Sequence, residues 1–66
     1  MSQDVVIDYT NWKGNRRERH VWPKSIEFTT DVYHPEWQWM LLATDREDDI
    51  MKHFPLAKIH SWRPVT

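Results

Sequence analysis

No cysteine occurs among the 66 residues of this chain, and at that length the lack is the strongest constraint on its fold. A domain so short buries only about 60% of the surface that its unfolded chain exposes. Small folds commonly add disulfides or a structural metal for that reason. Without thiols the chain forms no internal disulfide and no thiolate metal site, so side-chain bulk has to compensate. Five Trp, two Tyr and two Phe make up 14% of the chain, and each ring can bury roughly 150–250 Å². The expectation is a single domain over residues 1–66, with a core over residues 5–60 and an aromatic interior.

The apolar pattern alternates with period two. Val5–Thr10, "VVIDYT", is β-branched and aromatic, with Val5, Ile7 and Tyr9 on one face. Asn11, Gly14 and Asn15 mark a hairpin loop, and Gly14, the sole glycine, is expected at positive φ. Residues 16–22 form the return strand, which Pro23 ends. "KSIEFTT" alternates as a short third strand. "DVYHPE" is an irregular connection, since Pro35 lacks a ladder donor and biases His34 towards extended geometry. Residues 38–44 are the fourth strand, "DREDD" the turn, and residues 50–54 the fifth, stopped by Pro55. "LAKIHSW" is one turn of 3₁₀ or α-helix, and "RPVT" is a tail. Five short strands without helical periodicity predict a small all-β barrel.

Net charge is −1 and the pI is near 6.4, whereas the usual basic nucleic-acid binder lies above about 9. The charge is unevenly placed. "NWKGNRRER" at 11–19 carries four positive charges and one negative, and "DREDD" at 45–49 carries the reverse. Both are either solvated loops, or the basic segment forms one end of an anion-attracting surface. A mean hydropathy of −0.82 with 29% charged residues describes a water-soluble chain. No stretch approaches the roughly 20 apolar residues of a membrane span. "MSQD" is not a basic start to an apolar run, so no secretory signal is expected. The lack of cysteine fits a cytoplasmic protein.

"IDYTNWKGNRRERHVWP", "WMLLA" and "KHFPLAKI" together resemble the WYL domain, a module of many bacterial transcription regulators. The likeness is greatest to small stand-alone, often phage-associated, WYL-like proteins. The matching positions are Ile7, Tyr9, Gly14, Glu18, Arg19, Val21 and Pro23; Trp39, Met40, Leu41 and Ala43; and Lys52, Phe54, Leu56 and Ile59. The "HPE" at 34–36 also looks like those proteins. The resemblance implies a five-stranded SH3-like or Sm-like barrel that senses nucleotides or single-stranded nucleic acid through basic and polar residues at its mouth. Two positions depart from the pattern: Met40 stands where the family has Tyr, and Lys52 where it has Arg. A hydroxyl and a bidentate guanidinium are thereby lost, and Lys is only a point-charge substitute at a phosphate. No DNA-binding helix pair accompanies the barrel, so a transcriptional role would run through a partner chain.

Candidate sites divide by charge and by apolarity. Arg17 and Arg19 share a strand face with Val21, which would place Arg19 at the rim with its stem on the core and its fork in solvent. These arginines either pair with Glu18, Glu27 or the acidic loop, or recognise phosphate or carboxylate. Lys52 is a second anion contact, and His53 an exposed strand residue. The histidines at 20, 34, 53 and 60 show no metal-ligand spacing, and His34 reads as a loop-packing residue. Neither Ser25 nor Ser61 sits in a strained elbow with a base, and Asp48 and Asp49 are exposed turn acids. No enzyme activity, metal or cofactor is therefore expected.

The tryptophans carry the remaining signal. Trp39, Leu41 and Ala43 form the predicted core stripe, while Met40 and Leu42 make the opposite face apolar as well. That strand is either buried on both sides or bears an exposed patch of Met40, Leu42 and Trp37. Trp12 and Trp22 are candidates for exposure and for stacking on bases, at about 1–3 kcal/mol each. Two functions follow. In the first, a binding module takes a nucleotide or single-stranded nucleic acid on Arg19, Lys52, Arg17, Trp12 and Trp22. In the second, a protein-interaction subunit or homodimer uses the Met40, Leu42 and Trp37 patch.

Overall fold

The computed structural model describes residues 3–65 of the chain. Five antiparallel strands form one sheet: β1 (Val5–Thr10), β2 (Arg16–Asp31), β3 (His34–Asp45), β4 (Ile50–Pro55) and β5 (Ile59–Pro64). A single 3₁₀ turn, Leu56–Lys58, precedes β5. The all-β expectation holds, with this turn as the one helical element among the described residues. The spatial order is β4-β3-β2-β1-β5, so β4 and β5 are edges and hydrogen bonding leaves the sheet open. No helix among the described residues is long and apolar enough to cross a membrane.

Local chemistry explains each turn. Asn11 Oδ1 accepts the N–H groups of Lys13 and Asn15, both at 2.9 Å, and Gly14 adopts a φ of 85° as its neighbours require. Asp31 Oδ1 accepts the N–H groups of Tyr33 at 2.9 Å and His34 at 2.8 Å, an Asx turn that closes the β2–β3 hairpin tightly. In the β3–β4 turn Asp49 has a φ of 59°, a conformation that Asp tolerates better than most residues.

Three element boundaries differ from the sequence expectation. Pro23 does not end a strand: β2 runs through it, pairs Pro23 with Ala43, and absorbs the irregularity in a bulge before Ser25. The β1 ladder stops at Val21, so Pro23 lies where β2 has one neighbour and its missing N–H is tolerated. "DVYHPE" is not an irregular connection, because the Asp31 turn lets β3 begin at His34. Of "LAKIHSW" only Leu56–Lys58 is a 3₁₀ turn; Ile59 to Trp62, with Arg63 and Pro64 of the expected tail, are instead β5, which pairs along β1 from Tyr9↔Ile59 to Val5↔Pro64. Pro64 sits there on an edge strand, where proline is admitted.

The core comprises Ile7, Tyr9, Val21, Leu41, Ala43 and Phe54, with Val5, Leu56 and Ile59 packed against it. Tyr9 and Phe54 meet edge to face, with centroids 5.0 Å apart, but the expected aromatic interior goes no further, because all five Trp are exposed and the rest of the core is aliphatic. Two of the apolar assignments on β3 are corrected. Met40 is fully buried, not part of an exposed patch, and Trp39 is 57% exposed, not core. Along β3 the better-covered residues are His34, Gln38 and Met40 in the first half, and Leu41, Ala43 and Asp45 in the second. The side that faces the molecule therefore switches between Met40 and Leu41, where twist carries the strand from one part of the sheet to the other. Strict alternation, continued through that point, misplaces both residues. Leu42 is half-buried, opposite Ser25 and His53, and only Trp37 of the predicted patch is well exposed.

Candidate functional site

A cleft of about 490 Å³ opens where the hairpin tip of β2 and β3 returns towards the β1–β2 turn and β4. Tyr9, Arg19, Lys52 and Phe54 line it from the strands, and Trp12, Asp31, Tyr33, His34 and His53 from the tip, the turn and β4. Trp12 and Tyr33 stack with centroids 5.5 Å apart and planes 26° apart, forming an aromatic wall.

The cationic side of the cleft is built on Asp45. Its inward parity on β3 buries it to 1% exposure, and a lone carboxylate there would carry a large desolvation cost. Arg19 Nη1 donates to Asp45 Oδ2 at 2.8 Å, Lys52 Nζ donates to the same oxygen at 3.2 Å, and the Glu47 N–H donates to Oδ1 at 3.0 Å. Lys52 Nζ also donates to Asp48 Oδ2 at 2.7 Å. Burial by itself would raise the Asp45 pKa, but the Glu47 N–H, Arg19 and Lys52 outweigh it and hold the carboxyl below its ordinary value. For Lys52, burial opposes charge, while Asp48 and Asp45 prevail and raise its pKa. Burial raises the Tyr9 hydroxyl above its ordinary value, with Arg19 opposing and Asp31 adding to the shift.

Asp31 organises the opposite side. Besides closing the turn, its Oδ1 lies 3.0 Å from His34 Nδ1, and its Oδ2 lies 3.4 Å from His53 Nδ1. With Nδ1–H directed at the carboxylate, a neutral His34 ring offers Nε2 as an acceptor. Two buried nitrogens, Arg19 Nε and His34 Nε2, have no hydrogen-bond partner among the described residues. Both belong to residues that line the cleft.

Of the five predicted ligand residues, the structure brings Arg19, Lys52 and Trp12 to one cleft and leaves out Arg17 and Trp22. Arg17 Nη2 reaches Glu47 at 2.9 Å. Trp22 stacks under the Arg46 guanidinium at 5.2 Å and lines a separate groove with Lys24, Thr44 and Met51. The Arg19 fork is not displayed to solvent as expected, because buried Asp45 draws it inward. His53 is likewise half-buried, against Asp31. The basic and acidic segments partly neutralise one another, since Arg17 and Arg19 pair with Glu47 and Asp45, while Arg16 pairs with Asp8 of β1 at 2.8 Å.

Sequence reasoning passed over Asp31, Tyr33 and Asp45. Asp45 carried a usable signal, since it continues the inward series Leu41, Ala43. Tyr33 carried none, because a tight hairpin is needed to lay it on Trp12. Among the described residues, no group of three His, Cys, Asp or Glu side chains is placed to hold a metal ion. No family model matches the chain, and neither a curated protein nor a solved structure is significantly similar to it.

Proposed function

We propose that this protein is a non-catalytic, WYL-like barrel that binds a nucleotide or a short single-stranded nucleic acid in the Arg19–His34 cleft, in a cytoplasmic and regulatory setting. One observation carries the reading: two buried, unpartnered nitrogens, Arg19 Nε and His34 Nε2, occur on residues lining one cleft beside a stacked Trp12–Tyr33 wall. An unmatched buried polar group costs about 1–3 kcal/mol, which a ligand with complementary groups would recover. Arg19 Nε–H suits a phosphate or carbonyl oxygen. His34 Nε2, an acceptor when the ring is neutral, suits a base N–H, and Trp12 offers a ring face for stacking. The Asp45 and Asp48 carboxyls are held ionised by their cations, which favours charge compensation over proton transfer.

Labelled mononucleotides and single-stranded oligonucleotides, titrated at about 50 mM and then about 200 mM salt, test the proposal. Binding is expected to weaken about tenfold or more with Trp12→Ala, and further with Arg19→Lys, which removes the Nε–H but keeps the charge at Asp45. Binding that neither substitution changes, or none at low salt, rejects it.

A further inference from the structure

A different surface of the molecule lies on the outer half of the β2–β3 hairpin. Ile26, Phe28, Trp37 and Trp39 are 46%, 51%, 67% and 57% exposed. They form one cluster. Ile26 lies opposite Leu41 and Phe28 opposite Trp39 in the ladder. Phe28 stacks on Trp37 at 5.9 Å and meets Trp39 edge to face at 5.4 Å. Strand alternation adds Pro35 to this side and puts Glu27 and Glu36 on the other. The surface thus carries no formal charge.

We infer that this face is where a second copy of the chain docks, giving a two-fold dimer with the Phe28–Trp37–Trp39 clusters in contact. Four arguments select a second copy. The exposed parts of the four side chains amount to roughly 400–500 Å² of apolar surface. Burying this on two chains removes close to the ~1,000 Å² at which specific association begins. An uncharged face meets its own copy without like-charge repulsion, which is the requirement of an isologous contact. A nucleic acid, by contrast, needs cations beside the rings for its phosphates, and this face has none. The rings are also already ordered against one another, so docking immobilises few new side chains. The Trp12–Tyr33 wall of the cleft involves none of these residues, so the dimer stands independently of the ligand proposal.

The test is sedimentation equilibrium over a concentration series reaching about 1 mM, since interfaces at the small end of the range bind weakly. The mass is expected to rise from the 8.1 kDa monomer towards twice that value. Trp39→Glu and Trp37→Glu should each remain monomeric throughout, with far-UV circular dichroism unchanged because both sites are exposed. Trp12→Glu, away from the face, should dimerise like the parent. A parent that stays monomeric at the highest concentration overturns the proposal. So does a dimer that survives both substitutions. Single-stranded DNA or another protein bound through Trp37 and Trp39 by a parent that remains monomeric also overturns it, by giving the face to another occupant.

Discussion

The two halves of the β2–β3 ladder are made of the same strands and meet opposite fates. In the first half Val21 and Pro23 face Asp45 and Ala43, with β1 pairing up to Val21 and β4 pairing Met40 to Asp45. The inward-facing apolar residues there are buried, and the buried Asp45 carboxylate has two cationic partners. In the second half, Ile26 to Asp31 and His34 to Trp39 have only each other, and three large aromatics stay in solvent. Residue type does not separate the halves, since Trp39 is more apolar in bulk than Ala43. Flanking strands do. Hydrophobicity supplies the drive to be covered, but topology decides which side chains find a cover within the chain.

This contrast can be broken at its strongest point first. Asp45→Asn leaves Arg19 and Lys52 without their shared carboxylate, and removing one partner of a buried pair costs about 3–5 kcal/mol. Urea unfolding should show a loss of that order, and a loss below about 1 kcal/mol would mean the cluster is solvated. Acid should reproduce much of the same effect. The Asp45 pKa is depressed by folding, so its contribution is complete above the unfolded value near ~4 and fades as pH falls through the folded value. Lys52 runs the other way: its pKa is raised, so its contribution is complete below about 10.4 and fades as pH rises through the folded value. Tyr9, raised by burial, adds to the alkaline loss. A urea midpoint followed against pH should therefore form a plateau, with the acid limb flattened in Asp45→Asn.

The comparison sharpens further on two residues of one strand. Leu41→Ala should cost about 2–5 kcal/mol by opening a core cavity. Trp39→Ala, measured at low protein concentration, should cost under about 1 kcal/mol, as exposed substitutions do. Equal losses would mean that the outer hairpin is packed as tightly as the core. The smallest effect belongs to the β1–β2 turn. A Cβ at Gly14 meets no atom within 4 Å, but the residue holds a φ of 85°, so Gly14→Ala should cost about 1 kcal/mol through backbone strain alone. Calorimetric Tm values, compared with those of a surface control, check it.

What was legible in the sequence follows the range of each interaction. Val5–Thr10 alternates and forms a strand with the expected limits, because its pattern is local and complete. Gly14 takes positive φ because its turn chemistry lies within five residues. Strand β5 was missed because Ile59 to Pro64 shows no alternation and nothing local says that β1 has a free edge. Pro23 misled for a related reason: a proline ends a strand only where a neighbour needs its N–H, and the neighbour's extent is a tertiary fact. The cleft was half legible. Arg19, Lys52 and Trp12 stood out by type, whereas Asp31, Tyr33 and Asp45 acquire their roles only when the hairpin tip returns to β4 and the β1–β2 turn.

By itself, the sequence determined that this chain is all-β, and where four of its strands run in part or in whole. These properties depend on side-chain periodicity and turn chemistry over a few residues. Tertiary structure alone decided that Met40 is inside and Trp39 outside, that Asp45 joins two cations, and that one end of the hairpin closes a cleft while its outer face stays bare. Each depends on which strand lies beside which, and on the twist at Met40 and Leu41 that turns the strand's other side inward.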